Sequence, residues 1–252
     1  MKFLATLFCA AIMVGAPVQA QEEPEAKTGS RLQAEPEPMK TNPKSYNSDE
    51  SRRIAKKFGN CLFERRKGQS INLLSVSDYW AIDYDNLGDA GHLLSNRILM
   101  EQCLGRVGRP GISGIGMRVS DIAIRSSLTE AAYLDVYGDM DDPITIDPDA
   151  PEFLPNRFYV EGPTLENARA AASMSDCVVY QAPAKAHAIV HTQPASREER
   201  AAIKDIVPAL GNCIPAGKQM KLDIESIRAF VAEGLWARSY YGPKLNKSEG
   251  TN

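Results

Sequence analysis

One stretch of this chain occurs twice, and the cysteines upstream of each copy fall into matching register. Residues 117–133 read Met-Arg-Val-Ser-Asp-Ile-Ala-Ile-Arg-Ser-Ser-Leu-Thr-Glu-Ala-Ala-Tyr, and residues 220–236 read Met-Lys-Leu-Asp-Ile-Glu-Ser-Ile-Arg-Ala-Phe-Val-Ala-Glu-Gly-Leu-Trp. At a constant offset of 103, Met117, Ile124, Arg125, Glu130 and Tyr137 meet Met220, Ile227, Arg228, Glu233 and Tyr240. At an offset of 116, Arg53, Ala55, Cys61 and Leu62 meet Arg169, Ala171, Cys177 and Val178. At an offset of 110, Leu93, Met100, Cys103 and Leu104 meet Ile203, Leu210, Cys213 and Ile214. The falling offsets mean that the second copy lacks six loop residues between its cysteines and seven after them. A chain with such an internal duplication is expected to fold as two units of one design.

The cysteines indicate how each unit is held together. Lys2, the apolar run 3–16, the break at Pro17 and the small residues around Val18-Gln19-Ala20 form the pattern of a secretory signal over residues 1–20, cleaved near Ala20. The run is too short to span a bilayer, and no other long apolar stretch follows it. The expectation is therefore a soluble chain in the periplasm or secreted. Of the five cysteines Cys9 leaves with the signal; Cys61, Cys103, Cys177 and Cys213 remain. In an oxidising compartment they read as two disulfides. The duplication selects Cys61–Cys103 and Cys177–Cys213, one per unit. Units of roughly 80–90 residues have marginal apolar cores, and the chain-entropy model assigns each bridge about 4 kcal/mol. A four-cysteine zinc site would need closer ligand spacing than pairs 42 and 36 residues apart provide.

Composition then divides the chain. Residues 21–47 are Glu/Pro-rich and almost without apolar side chains, which predicts a disordered tail. Helical module 1 is assigned to 48–138, an acidic Pro-rich linker to 139–162, helical module 2 to 163–242, and a disordered tail to 243–252. In module 1, Ile54, Phe58, Cys61 and Leu62 mark a first helix ending near Gly68. Leu93, Met100, Cys103 and Leu104 mark a second, and a third follows Ser120. The apolar run 70–77 has no assigned type. In module 2, Phe158-Tyr159-Val160 is a candidate short strand, Thr164 a helix cap, Ser196 and Glu199 a capping box, and Asp223 the cap equivalent to Ser120. Pro208 is expected to kink its helix. The fold class is mainly α: two tandem three-helix modules, each stapled by one disulfide.

Few residues point to chemistry. With 29 basic and 32 acidic residues the charge is too balanced for a nucleic-acid binder driven by bulk charge. His187 and His191 are four apart, but Pro183 and Pro194 crowd them and no third metal ligand is evident. Gly111-Ile112-Ser113-Gly114-Ile115 has Ile115 where a nucleophile elbow needs glycine. The loop around it, with Arg106, Arg109 and Ser113, is the candidate anion or small-ligand site. The aspartates of 139–149 lack the glycine and terminal glutamate of a calcium loop. Arg125 and Glu130, like Arg228 and Glu233, are five apart on a helix and do not meet within one copy. They are read as pairing between copies or with the first helix, with Tyr133 and Trp236 as core or interface aromatic packing.

No catalytic residue, metal ligand or cofactor motif is assigned. The reading is an exported, non-enzymatic binding or adaptor protein, associated with another protein or an envelope component. An envelope hydrolase with its site between the modules, and a small-anion sensor at 105–116, are the alternatives.

Overall fold

The structure is a computed structural model that describes residues 48–79, 82, 97–107, 121–147, 149–154, 157–214 and 222–248. All belong to the unit Lys44–Asn252. The expected signal 1–20, the tail 21–47, and Arg109, Ser113 and Ser120 lie outside the described residues.

The described residues are mainly helical and contain no strand. In chain order the helices are α1 (Ser48–Arg65), α2 (Lys67–Ser75), α3 (Arg97–Val107), α4 (Asp121–Tyr137), α5 (Pro163–Gln181), α6 (Pro183–His191), α7 (Arg197–Cys213) and α8 (Ile224–Ser248). Among the described residues, four helices thus fall in 48–138 and four after 162, with a short helix in each stretch that periodicity does not indicate. The additional helices are α2 and α6, nine residues each and 116 residues apart. Such short apolar runs do not separate helix from strand by pattern. Burial decides the matter, and Leu73, Leu74, Ile189 and Val190 are all fully enclosed.

Each short helix follows a one-residue break. Arg66 adopts φ −143°, ψ 50°, and Ala182 adopts φ −142°, ψ 58°. Gly68, expected as a stop, lies inside α2 instead. The cap expected at Thr164 is occupied by Gly162, whose φ of 63° suits glycine, with Pro163 as first helical residue. Ser196 does cap α7, accepting from Glu199 N at 3.0 Å, while the Glu199 carboxylate reaches back to Ala195 N at 2.7 Å. Asp223 accepts from Ser226 N at 2.8 Å before α8. Helix α7 continues through Pro208, and α8 runs through Pro243 to Ser248.

The expected strand at 158–160 is absent: the chain there is irregular, and one Asp78 carboxylate oxygen accepts from Tyr159 N at 2.8 Å and Val160 N at 2.6 Å. That carboxylate satisfies amides that would otherwise need a neighbouring strand.

Two disulfides staple the helices. Cys61–Cys103 joins α1 to α3 and Cys177–Cys213 joins α5 to α7, with Cα separations of 5.7 and 5.8 Å. Helix α4 packs on α1 and α2, α8 packs on α5 and α6, and α4 and α8 pack on each other. Glycines permit the closest crossings. A Cβ on Gly59 would lie 2.5 Å from Ser127 Cβ, and one on Gly234 would lie 2.2 Å from the Ser175 carbonyl oxygen.

The apolar interior forms two clusters that exchange a residue across the α4–α8 contact. One contains Phe58, Leu62, Leu73, Leu74 and Leu128 and takes in Trp236 from α8. The other contains Val178, Ile189, Ile206, Val231 and Leu235 and takes in Tyr133 from α4. Each intruding ring stacks on the aromatic one turn later: Tyr133 on Tyr137 at 4.8 Å, Trp236 on Tyr240 at 5.3 Å.

Candidate functional site

The charged residues singled out by the matching sequence stretches meet where α4 crosses α8. Arg125 donates from Nε and Nη2 to the two oxygens of Glu233, both at 2.9 Å. Arg228 donates from Nε and Nη2 to the two oxygens of Glu130, both at 2.7 Å. Both pairs are bidentate, the geometry in which a guanidinium matches a carboxylate best. The remaining donors end a short helix. Arg125 Nη1 reaches Leu74 O, Ser77 O and Ser77 Oγ at 2.6–3.0 Å. Arg228 reaches Ile189 O, Val190 O and Thr192 O at 3.0–3.2 Å. Each arginine therefore binds carbonyls at the end of α2 or α6 while holding a glutamate on the facing long helix.

Further charges surround these pairs. On one side, Lys56 Nζ lies 2.8 Å from Glu130, and the buried Glu199 takes Arg52 at 2.6 Å and Arg228 at 3.0 Å. Burial acts to raise the Glu130 carboxyl, but the Arg228 and Lys56 charges and their hydrogen bonds outweigh it and hold it below the ordinary range. On the other side, Arg157 bridges Asp176 at 2.8 Å and Glu233 at 3.4 Å, and Leu154 N donates to Asp176 at 2.9 Å. Burial raises the Asp176 carboxyl to about 6, against the Arg157 charge and the Leu154 amide, which act to lower it. Burial likewise raises Asp78, opposed by the Tyr159 and Val160 amides and by Arg125. The voids beside the two networks measure only about 50 and 10 Å³. These spaces are water-sized, so the groups face one another and not a ligand.

The histidines are held by the protein. Tyr133 Oη lies 2.8 Å from His187 Nδ1, and His187 Nε2 lies 3.1 Å from Met140 O. The carbonyl requires a donor at Nε2, which leaves Nδ1 to accept from the tyrosine hydroxyl. Burial raises the Tyr133 hydroxyl to about 12, so it remains a donor. The His191 ring lies 4.2 Å from that of His187. Partial burial, then the neighbouring His187 and Lys56, hold His191 below the ordinary imidazole value. Glu152, Cys177 and Cys213 bring three potential metal donors within 4.8 Å of one another, but the two sulfurs are joined to each other. Arg106 lies exposed near the end of α3, and its loop partners Arg109 and Ser113 fall outside the described residues.

The feature that sequence reasoning passed over is a cleft of about 690 Å³. Its walls come from the end of α4 (Tyr137), the segment 140–154, and α8 (Arg238, Gly242, Pro243). Ile144 and Leu154 are buried in it, whereas Met140 is 49% exposed and Val136, one turn away, 55%. Arg238 donates to Pro151 O at 2.7 Å and to Glu152 O, with its guanidinium over the Tyr180 ring at 5.3 Å. It thereby closes one end of the cleft by gripping the segment's main chain. The sequence signal was present but compositional: Ile144 and Ile146 interrupt an acidic, proline-rich linker. A volume in the range of about 300–1,000 Å³ is typical of a binding pocket, and this one has a mixed lining, with Met140, Pro143 and Ile146 beside Asp142, Thr145, Asp147 and Arg238.

Comparison of the chain with protein-family models, with curated proteins and with solved structures finds no match.

Proposed function

We propose that this is an exported, internally duplicated binding protein without catalytic activity, and that the cleft walled by 140–154 receives a protein or envelope component. The observation that carries the reading is the cleft's composition. Apolar groups (Tyr137, Pro143, Ile146) and acidic ones (Asp142, Asp147) line it together beside the exposed Met140, and no nucleophile–base pair stands among the described residues that line it. The ionised groups elsewhere in the interior are engaged in structure: Arg125 and Arg228 end short helices, and Glu130, Glu199 and Glu233 hold arginines. A hydrolase between the halves would need room there, and only small voids adjoin those pairs.

Duplication is supported by a set of matched positions. The breaks at Arg66 and Ala182, the helices α2 and α6, the reciprocal arginine–glutamate pairs and the two aromatic stacks all recur at the sequence offsets of the repeat. Export is supported by the signal pattern at 1–20 and by two disulfides, which persist outside the reducing cytosol. Among the described residues no helix is long and apolar enough to cross a membrane.

The test is affinity capture from the native envelope with the mature chain, comparing wild type with Met140→Glu. The expected result is a retained component that Met140→Glu loses while its thermal midpoint stays unchanged. Equal retention by both proteins would overturn the assignment of the cleft.

A further inference from the structure

Segment 142–147 stands off the helices on two sides. It lines the 690 Å³ cleft on one side and a second space of about 540 Å³, closed by Tyr180 and Pro183, on the other. Three contacts hold its main chain: Met140 O, just before it, accepts from His187 Nε2 at 3.1 Å, Ile144 N donates to Tyr133 Oη at 3.4 Å, and Asp147 O accepts from Ala150 N at 3.0 Å. Beyond those, its main chain is open. Among the described residues, the amides of Asp142, Thr145, Ile146 and Asp147 have no acceptor, and the carbonyls of 142–146 have no donor. A row of unpaired peptide groups in irregular chain beside a partly apolar cleft is a template for main-chain pairing by an added strand.

The charge of the segment limits what can pair there. Residues 139–152 carry five aspartates and one glutamate and no lysine or arginine. The described aspartates and Glu152 are exposed. Asp142 has no partner among the described residues, and the Asp147 carboxylate accepts only from Asp149 N, at 2.9 Å. The one cation among the described residues lining the cleft, Arg238, is 3% exposed and faces the carbonyls of Pro151 and Glu152. The cleft therefore combines apolar side chains (Tyr137, Pro143, Ile146) with exposed, negatively charged ones (Asp142, Asp147).

We propose that it takes an extended peptide segment with alternating apolar and basic side chains, pairing along the main chain of 142–147. The apolar side chains pack on Tyr137, Met140 and Ile146, and the basic ones meet Asp142 and Asp147. In an extended chain alternate side chains point to opposite faces, which fits one row to the apolar groups and one to the acidic ones. This rests on the cleft being the binding site and names the chemistry of its occupant.

Fluorescent heptapeptides alternating lysine with valine, or glutamate with valine, titrated into the oxidised full-length mature chain test the idea by polarisation. Two further lysine–valine peptides are N-methylated at odd or at even amides. The lysine–valine peptide is expected to bind at least about tenfold tighter than the glutamate–valine peptide, and one N-methylated register to lose about tenfold while the other is retained. Asp142→Asn with Asp147→Asn should weaken binding several-fold at an unchanged thermal midpoint, as should Thr145→Pro, which removes an exposed donor. Equal affinity for both charge types, indifference to both N-methylation patterns, or no binding to the folded protein would overturn the proposal. Loss of envelope capture by Met140→Glu alongside any of those results would leave the cleft as a docking site and reject only the strand-pairing peptide.

Discussion

Glu130 and Asp176 show how one physical environment gives opposite pH responses. Glu130 lies between Arg228 and Lys56, and its folded carboxyl is held below the ordinary range. The stability it contributes is present above the unfolded value of about 4.3 and is lost as pH falls through the folded value. Asp176 is raised to about 6 because burial outweighs Arg157. Between pH 6 and about 4 the folded chain holds a proton there that the unfolded chain does not, so stability rises as pH falls through that window. The gain across the window is roughly 3 kcal/mol at most. Urea midpoints measured from pH 7 to pH 3 should therefore climb from 6 towards 4 and then drop. Asp176→Asn should flatten the climb, and Glu130→Gln should flatten the drop. An unchanged profile in both variants would show that neither carboxyl sets it. Removing one partner of a buried pair costs about 3–5 kcal/mol through the charge left behind, so Arg125→Ala is expected to be among the most destabilising single changes. A charge exchange, Arg125→Glu with Glu233→Arg, should recover little of that loss. Leu74 O, Ser77 O and Ser77 Oγ would then face a carboxylate and have no donor.

At the scale of elements, the helix crossings depend on how closely backbones approach. Gly234 abuts the Ser175 carbonyl on α5, and an added methyl would overlap that oxygen, which belongs to a helix backbone and cannot swing aside. Gly234→Ala should lower stability by about 1–3 kcal/mol, read as a loss in urea midpoint at constant slope. Gly211→Ala on α7, where nothing lies within 4 Å of the added carbon, serves as the matched control and should be neutral or stabilising. The long helices, their cysteines and the Arg125/Glu130 and Arg228/Glu233 positions were legible because the two matching sequence stretches could be read side by side. Helices α2 and α6 were not, because nine residues with a few clustered apolar side chains fix no period. The second layer of charge was also hidden. Asp176 aligns with Asn60, Lys56 with Ala172 and Asp78 with Pro194, so the repeat gives no hint that these groups become buried partners. Their roles come from contacts between residues far apart in sequence, such as Arg157 with Glu233 or Asp78 with Val160.

At the scale of the whole described unit, the exchange of Tyr133 and Trp236 makes the two apolar clusters interdependent. Separating α4 from α8 would withdraw Trp236 from among Phe58, Leu62 and Leu73 and Tyr133 from among Val178, Ile189 and Ile206, and would break both bidentate arginine–glutamate pairs. Neither cluster can lose its guest without a cavity and a broken buried ion pair, so the stable arrangements are both halves folded or both unfolded. The disulfides act differently, because each closes a loop within one half, of separation 42 or 36. In the chain-entropy model each contributes about 4 kcal/mol by restricting the unfolded chain. Coupling across α4–α8 should spread that loss over both halves. In a Trp80→Phe background, Trp236 fluorescence reports the first cluster, and amide exchange at Ile206 reports the second. Replacing Cys177 and Cys213 by alanine should shift both urea midpoints together to lower concentration, although the cluster that holds Trp236 contains neither of those cysteines. If the Ile206 signal moved alone and the Trp236 transition stayed in place, the two clusters would be separate folding units, and the reciprocal pairs would not couple them.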